Sequence, residues 1–253
     1  MRPKTPFKKA HHREQLLLSI AQTCRDGVVV LDAFCGCGGN AIAFASRTEI
    51  SLVVCVDKDR NKLKLAASNA AVYDIPKEKM VFVLGDACFL LANRANDDKK
   101  VAPQQEEKAD ADENDAMTSM EAEMHGYKLL GGLDHVPTNI DVVFLSPPWG
   151  GMDYESIGRR CYGLVDHIKL VTGDGSVWTG EQLLEAALAV ASNQVVYFLP
   201  RNTNGLYVAK SALKVGYTGT IELEQNVLQT KLKTVTAYFD AMSRISPGET
   251  QNK

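Results

Sequence analysis

The segment VVVLDAFCGCGGNAIAFAS, residues 28–46, decides the fold of this chain. It begins with a continuous run of branched aliphatic residues, Val28 to Leu31, which predicts a strand buried on both faces of a parallel sheet. Three glycines follow within four positions, and after them the apolar residues recur at helical spacing. A glycine loop between a strand and a helix lets a ligand approach the backbone closely, so this loop is a candidate binding site.

The same alternation of strand and helix continues along the chain. Further buried strands are predicted at 51–59, 80–87, 140–146 and 194–200, and helices at about 13–25, 61–73 and 180–193. Two alternating runs, 219–230 and 231–240, have no helix between them, which predicts an antiparallel hairpin. Together these elements predict an α/β fold with a mostly parallel seven-stranded sheet, the C-terminal hairpin and helices on both faces. In such sheets ligands bind beyond the carboxyl ends of the strands.

Charge is distributed unevenly over the 253 residues. Residues 97–123 carry a net charge of −7, which leaves +4 for the rest of a chain whose total is −3. The first 13 residues hold five basic side chains and no acid. We therefore expect a basic N-terminal arm and helix at 1–27, a main domain at 28–245 with an acidic mobile insert at about 94–135, and a tail at 246–253. No apolar stretch approaches membrane-spanning length, so we expect a soluble, non-secreted protein that does not bind membranes. We also expect a monomer.

The six cysteines do not form a CxxC pair. Several of them lie within or beside apolar runs, which predicts reduced cysteines in the core of an intracellular protein. A zinc site or disulfides are the alternatives to this interpretation. We predict that the protein has no metal site.

Three acidic residues end three successive predicted strands. Asp32 lies just before Gly36, where its carboxylate would repel a pyrophosphate and favour an ammonium or sulfonium group. Asp57 ends the second strand, where an acid accepts from both hydroxyls of a ribose, and Asp86 ends the third, where it could accept from an adenine amine. Each acid alone could be a helix N-cap or a turn residue. Together with the glycine loop, they resemble the S-adenosylmethionine site of class I methyltransferases.

The fourth strand ends in Ser146-Pro147-Pro148-Trp149. This turn resembles the (Asp/Asn/Ser)-Pro-Pro-aromatic motif of methyltransferases that modify exocyclic amines of bases. The Ser146 side chain and the Pro147 carbonyl could accept from the amine, and the rigid double proline would hold them in place. The indole of Trp149 could stack on the base, and it is the best cation–π partner for a cationic base such as 7-methylguanine.

Four segments extend the resemblance to one family. DAFCGCGGNAIAFA, FLSPPWGGMDY, VVYFLPRN and IELEQNVLQTKLKTVTAYF are similar to the trimethylguanosine synthase family, over about 28–93 and 140–239. The resemblance implies a Rossmann-like class I methyltransferase that uses S-adenosylmethionine to methylate the exocyclic N2 amine of a 7-methylguanosine RNA cap. It implies that the cofactor is bound by Asp32, Phe34, Gly36, Gly38, Asn40, Asp57 and Asp86.

The resemblance also implies catalytic and substrate-binding residues. The catalytic turn would comprise Ser146, Pro147 and Trp149. Trp149 would also bind the cap, together with Arg201 and Lys231 near its phosphates and Lys233 as a weaker candidate. The family implies capped RNA as a partner, with snRNP or snoRNP core proteins as further candidates, and localisation in the nucleus or nucleolus with a cytoplasmic fraction.

The chain departs from the animal members of the family in two places. Those members carry a longer helical extension before the first strand, whereas about 27 residues precede Val28 here. Phe7, Lys8 or Lys9 could supply part of that role. The acidic insert has no counterpart in the family pattern.

Two other functions remain open at this stage. One is methylation of guanine or adenine amines in ribosomal RNA, transfer RNA or DNA. The other is a cap-binding or RNP-assembly module without catalysis, which the presence of Asp32, Asp57 and the glycine loop disfavours.

Overall fold

The computed structural model describes residues 27–97, 127–130 and 136–241. The strands in these ranges are β1 (Val28–Asp32), β2 (Ile50–Asp57), β3 (Met80–Gly85), β4 (Tyr127–Leu129), β5 (Ile140–Leu145), β6 (Lys169–Val171), β7 (Val177–Thr179), β8 (Ala191–Pro200), β9 (Ile221–Leu228) and β10 (Lys231–Asp240). The α-helices are α1 (Gly39–Ala45), α2 (Arg60–Val72), α3 (Ala87–Asp97), α4 (Leu164–His167), α5 (Gly180–Val190) and α6 (Gly205–Lys214). Short 3-10 turns occupy Lys77–Lys79 and Gly151–Ser156.

Eight of these strands form one sheet in the order β4-β3-β2-β1-β5-β8-β10-β9. The five central strands are parallel, and β10 runs antiparallel to both β8 and β9. The predicted α/β class, the parallel core and the C-terminal hairpin are therefore confirmed. The predicted number of seven strands is wrong, because β4 adds an eighth strand antiparallel to β3.

The extra strand comes from one end of the predicted acidic insert. Tyr127–Leu129 pairs with β3, with Leu129 opposite Val83. At the other end, residues 94–97 continue α3. Residues 94–97 and 127–129 of the expected loop are therefore in regular structure, since the helix continues past 94 and a short apolar run pairs with the edge of β3. The predicted helix at 13–25, the N-terminal arm, the C-terminal tail and the acidic centre of the insert lie outside the described residues.

Helices cover both faces of the sheet, as predicted. The parallel strands alternate their side chains between two cores, so Val30 and Phe144 face α1 and α2, whereas Leu31 and Val143 face α3, α5 and α6. The rings of Phe144 and Phe44 meet edge to face at 5.1 Å. Burial on both faces explains why these strands are continuous apolar runs rather than alternating ones.

Besides β4, no sequence-based prediction covered α3, α4, α6 or the hairpin formed by β6 and β7. The helix α6 is capped by Asn204, whose side chain accepts from the Leu206 N–H at 2.9 Å. The hairpin matters most for the site, because it stands beside the carboxyl ends of the central strands.

The cysteines divide into two groups. Cys35, Cys55 and Cys88 are buried and reduced, whereas Cys37 and Cys161 are exposed, so the prediction of core cysteines is wrong for these two. Cys24 lies outside the described residues. Within the described ranges, no helix combines the length and apolarity that crossing a membrane requires.

Candidate active site

The site lies at the carboxyl edge of the sheet, where the order of the strands reverses between β1 and β5. Strands β2 and β3 follow β1 on one side of it in the sheet, and β5 lies on the other side of β1. The Ala33 N–H donates to the Phe144 carbonyl at 3.1 Å, and the Ser146 hydroxyl donates to the Phe34 carbonyl at 3.3 Å. The glycine loop and the Ser-Pro-Pro-Trp turn are therefore side by side, at the position where open α/β sheets bind ligands.

The glycine loop has one face against the protein and one face open. Gly36 and Gly38 have φ angles of 55° and 86°. A Cβ at Gly38 would lie 3.0 Å from the Ala66 Cβ, so this glycine packs the loop against α2, whereas no atom lies within 4 Å of a Cβ built at Gly36. Asn40 lies in the first turn of α1, and neither it nor Gly38 lines the cleft described next. The open backbone is therefore at Gly36.

A cleft of about 420 Å³ opens beside this loop. The ends of β1, β2, β3 and β5 form its walls, and the hairpin strand β6 closes one side. The walls include five residues that the sequence assigned to the site: Phe34, Gly36, Asp57, Asp86 and Ser146. Asp32 does not line the cleft; it is fully buried behind Phe34, whose N–H donates to Asp32 Oδ1 at 3.4 Å.

The carboxylate of Asp57 organises the loop. Asp57 Oδ2 accepts from the Gly36 N–H at 3.0 Å, and Asp57 Oδ1 accepts from the Asp59 N–H at 2.9 Å. Asp59 in turn caps α2. Because a carboxylate oxygen has two lone pairs, each oxygen of Asp57 keeps one for a hydroxyl group on a ligand.

Asp86 has structural partners that the sequence did not predict. Its Oδ1 accepts from the Cys88 N–H at 2.9 Å at the start of α3, and its Oδ2 lies 3.0 Å from Lys58 Nζ. Lys58 Nζ also donates to the Val171 carbonyl at 2.6 Å, so one ammonium group joins β3 to the hairpin. Asp86 therefore serves the protein as a helix cap and an ion-pair partner in addition to its place in the cleft.

The hairpin supplies a wall that sequence reasoning missed. Lys169, Leu170 and Val171 of β6 line the cleft, as do Lys58 and Lys62. With three residues each, β6 and β7 are too short to show a clear alternation of polar and apolar residues. A Gly-Asp-Gly turn between short apolar runs, at 173–175, was the available signal for this hairpin.

The cleft contains a thiol that is held in its neutral form. Burial, and secondarily the negative charge of Asp86, raises the pKa of Cys88 to about 12. The thiolate is the nucleophilic form of cysteine, so Cys88 does not compete as a nucleophile near neutral pH. Among the described residues, no group of three or more His, Cys, Asp or Glu side chains is placed to hold a metal ion.

The Ser-Pro-Pro-Trp turn presents hydrogen-bond acceptors. Because the Ser146 hydroxyl donates its proton to the Phe34 carbonyl, its oxygen has only lone pairs left for a ligand. Pro147 is buried, and Pro148 is exposed and lines the cleft. Neither proline has an N–H to donate, so the turn is predominantly an acceptor surface.

Trp149, the last residue of this turn, does not line the cleft and is held by hydrogen bonds and ring contacts on the other side of the turn. Its indole N–H donates to the Phe198 carbonyl at 3.2 Å, and the Tyr162 hydroxyl donates to the Trp149 carbonyl at 3.1 Å. The rings of Phe198 and Tyr154 lie 5.5 Å and 5.4 Å from it, the latter edge to face. The half-buried indole is therefore held in one orientation, next to the turn that lines the cleft.

The predicted phosphate-binding residues lie at the same edge of the sheet. Arg201 directly follows β8, is exposed, and has an ion pair with Glu155 at 3.8 Å. Thr234 of β10 pairs with Pro200, the last residue of β8. Lys231 and Lys233 precede Thr234 on an antiparallel strand, so they extend beyond the end of β8 on the Arg201 side. The structure thus brings the three cations to one edge, although none of them lines the cleft.

Replacing Lys58 by methionine should loosen the hairpin. The change removes the contacts to Asp86 and to the Val171 carbonyl while keeping the length of the side chain. Because Lys58 is 54% exposed, we expect a modest effect of roughly 1 kcal/mol, or about a fivefold faster hydrogen exchange of the amides at 168–179. Exchange measured by mass spectrometry tests this.

The matched control is Lys62→Met, which removes a lysine from the same cleft. Lys62 makes no side-chain contact of this kind with the described residues. An equal rise in exchange in both variants, or none in Lys58→Met, would contradict the role assigned to Lys58.

Comparison with known proteins identifies a family. Residues 27–242 match the family model described as RNA cap guanine-N2 methyltransferase. Trimethylguanosine synthase of Schizosaccharomyces pombe is 27% identical over 194 residues, an alignment that covers 76% of this chain and 59% of that protein. The chain therefore matches less than two thirds of the length of this curated relative.

A comparison of folds gives a consistent result. The SAM-dependent methyltransferase of Agrobacterium tumefaciens superposes with a TM-score of 0.55 at 12% identity, covering 91% of this chain and 61% of that one. At this level of identity the likeness concerns the fold alone. It confirms the predicted Rossmann-like class I architecture.

Proposed function

This chain belongs to the RNA cap guanine-N2 methyltransferase family, and on that premise we propose that it transfers methyl groups from S-adenosylmethionine to the N2 amine of a 7-methylguanosine RNA cap. The observation that carries the proposal is the junction of two sites at the Ser146–Phe34 hydrogen bond, 3.3 Å. On one side of it lies the cleft lined by Asp57 and Asp86, and on the other lies the fixed indole of Trp149, at the same edge of the sheet as Arg201.

The cleft fits S-adenosylmethionine. The open backbone at Gly36 allows close approach, and Asp57 keeps a lone pair on each oxygen for the ribose hydroxyls. The carboxyl group of Asp32 lies buried behind Phe34, and in its ionised form it would favour a cationic ligand. Phe34 offers an apolar surface, and Asp86, which lines the same cleft, would accept from the adenine amine. When bound, S-adenosylmethionine supplies an electrophilic methyl group.

The chain's contribution to the reaction is to hold the amine. The lone pair of a guanine N2 amine is delocalised into the ring, so the amine is a weak nucleophile. Acceptors at Ser146 Oγ and the Pro147 carbonyl would each take one N–H and favour a pyramidal nitrogen whose lone pair points to the methyl group. No strong base is required before attack, because the methylated ammonium that results is acidic and loses its proton to water.

Trp149 gives the site its preference for a cationic base. A guanine methylated at N7 carries a positive charge, which the face of an indole attracts. The bonds to the Phe198 carbonyl and from Tyr162 fix the indole before the substrate arrives, so little ordering is needed on binding. Arg201, Lys231 and Lys233 would then lie on the side where the cap phosphates leave the base.

Parallel assays with two cap analogues test this proposal. The protein is incubated with labelled S-adenosylmethionine and either a 7-methylguanosine cap analogue or its unmethylated counterpart. We expect transfer to the first to be at least about tenfold more efficient than to the second, because the cation–π attraction contributes about 2 kcal/mol or more when it is desolvated.

The outcomes separate the three candidate functions. Equal transfer to both analogues would contradict the role of the positive charge. Transfer to neither, with methylation of an amine in ribosomal RNA, transfer RNA or DNA, would identify the second function. Binding of the cap without any transfer would indicate a non-catalytic module.

The biological setting follows from the proposed reaction. The product would be the 2,2,7-trimethylguanosine cap of small nuclear and nucleolar RNAs, and we therefore propose that the protein acts in the nucleus or nucleolus, with a cytoplasmic fraction. Core proteins of the corresponding RNPs are candidates to deliver the RNA. Fractionation of cells that express a tagged protein tests the localisation, and a purely cytoplasmic protein would contradict it.

A further inference from the structure

Two adjacent arginines form the tip of a tight turn next to the proposed cap site. Arg159 and Arg160 are the central residues of the turn from Gly158 to Cys161, which is closed by the Cys161 N–H donating to the Gly158 carbonyl at 3.2 Å. Both arginines are exposed. Arg160 has a φ of 55°, a left-handed conformation that is uncommon for residues other than glycine. Tertiary contacts must therefore hold this turn in place.

Those contacts attach the turn to the segment that carries Arg201. The Asn204 side-chain N–H donates to the Arg160 carbonyl at 2.7 Å. Next to it, the Tyr162 N–H donates to the Asn202 carbonyl at 3.1 Å, and the Asn204 N–H donates to the Tyr162 carbonyl at 2.9 Å. The backbone of the two arginines is thus held against residues 202–204, on the Arg201 side of the site.

The same hydrogen-bonded segments also contact Trp149. Tyr162 lies two residues after Arg160 in the chain, and its hydroxyl donates to the Trp149 carbonyl at 3.1 Å. The Asn202 side chain also donates to the carbonyls of Tyr154 and Ile157, at 2.8 Å and 3.0 Å. The position of the turn is therefore fixed relative to the stacking face on which the cap is proposed to lie.

The charge of this turn is not neutralised within the described residues. The nearby acid Glu155 forms an ion pair with Arg201 and not with either arginine of the turn. Neither Arg159 nor Arg160 has a side-chain hydrogen bond or ion pair in the described ranges, which leaves two guanidinium groups for an external anion. Guanidinium groups match the geometry of phosphate oxygens and stay charged at any physiological pH.

We propose that the Arg159–Arg160 turn binds the phosphates of the RNA chain that follows the cap. This inference rests on the proposed function, which places the base on Trp149 and the cap phosphates near Arg201. An RNA that continues past Arg201 meets the two arginines, whereas a cap dinucleotide ends before it reaches them. The turn would therefore distinguish capped RNA from free cap nucleotides, a distinction that the stacking site cannot make.

A double substitution with a charge-matched control tests the inference. Arg159→Gln/Arg160→Gln is compared with Lys64→Gln/Lys77→Gln, which removes the same two charges from α2 and from the 3-10 turn ahead of β3. Each variant is assayed with a 7-methylguanosine cap dinucleotide and with a capped oligoribonucleotide, over a series of salt concentrations.

For the arginine variant we expect kcat/KM for the capped oligoribonucleotide to fall about tenfold at low salt. The slope of its logarithm against the logarithm of salt concentration should become less steep by about 1.4, since each single-strand phosphate contact contributes about 0.7. Activity on the dinucleotide should stay unchanged, and the lysine variant should keep both activities.

Three results would overturn the inference. The first is an unchanged preference for the oligoribonucleotide in the arginine variant. The second is an equal loss in the lysine variant, which would indicate net charge rather than a local contact. The third is an equal loss on the dinucleotide, which would place the arginines at the cap itself. Absence of transfer to both substrates by the unmodified protein would instead contradict the proposed function, so the two failures are distinguishable.

Discussion

Replacing Trp149 by alanine is expected to lower kcat/KM for the 7-methylguanosine cap about a hundredfold or more, with little change in the affinity for S-adenosylmethionine. Loss of one stacked base costs roughly 1–3 kcal/mol, and misplacement of the amine relative to the Ser146 oxygen adds to that loss. The affinity for the cofactor should persist because Trp149 does not line the cleft. Steady-state kinetics and calorimetric titration of the cofactor give the two values.

A conservative variant separates stacking from packing. Trp149→Phe keeps an aromatic face and the contact with Phe198 but loses the indole N–H bond to the Phe198 carbonyl. We expect its activity to lie between those of the unmodified protein and Trp149→Ala. If cofactor affinity falls as much as activity in Trp149→Ala, the indole is a structural residue and the proposed base site is wrong.

Replacing Asp57 by alanine is expected to weaken the binding of S-adenosylmethionine by at least about a hundredfold. The carboxylate would accept both ribose hydroxyls, and hydrogen bonds to a charged group contribute about 1.5–3 kcal/mol each. The substitution also leaves the N–H groups of Gly36 and Asp59 without their acceptor, so the loop loses its orientation. Calorimetric titration with S-adenosylmethionine or S-adenosylhomocysteine measures the loss.

Asp59→Ala is the matched control, since Asp59 lines the same cleft two residues away. Its side chain accepts from the N–H groups of Asn61 and Lys62 and thereby caps α2. Removing a cap costs about 1 kcal/mol of folding free energy, so this variant should lose thermal stability but keep most of its affinity. Equal losses of affinity in the two variants would contradict the assignment of the ribose to Asp57.

The parallel core and the position of the site were predictable because their signals are local and strong. Strands buried on both faces appear as apolar runs, and each of the acids Asp32, Asp57 and Asp86 lies at the end of such a run. Ser146 lies at the end of another. Since the ends of parallel strands meet at one edge, four distant segments of sequence specify one site.

What the sequence did not show depends on tertiary contacts. Nothing near Lys58 indicates that its ammonium will reach the carbonyl of Val171, 113 residues away. The short strands β4 and β6 acquire their identity by pairing with β3 and β7, not by their own composition. The direction of the Ser146 hydroxyl, which makes its oxygen an acceptor, likewise depends on the carbonyl of Phe34, in the loop that follows β1.

Identification of the methylated nucleoside tests the central claim most directly. The 7-methylguanosine cap analogue is incubated with the protein and S-adenosylmethionine, digested to nucleosides and examined by mass spectrometry against standards. We expect added methyl groups on N2, as 2,7-dimethylguanosine or 2,2,7-trimethylguanosine, and about a hundredfold slower formation of these products by Trp149→Ala under the same conditions. Methyl groups found only on a ribose hydroxyl or on another base, with N2 unmodified, would contradict the account.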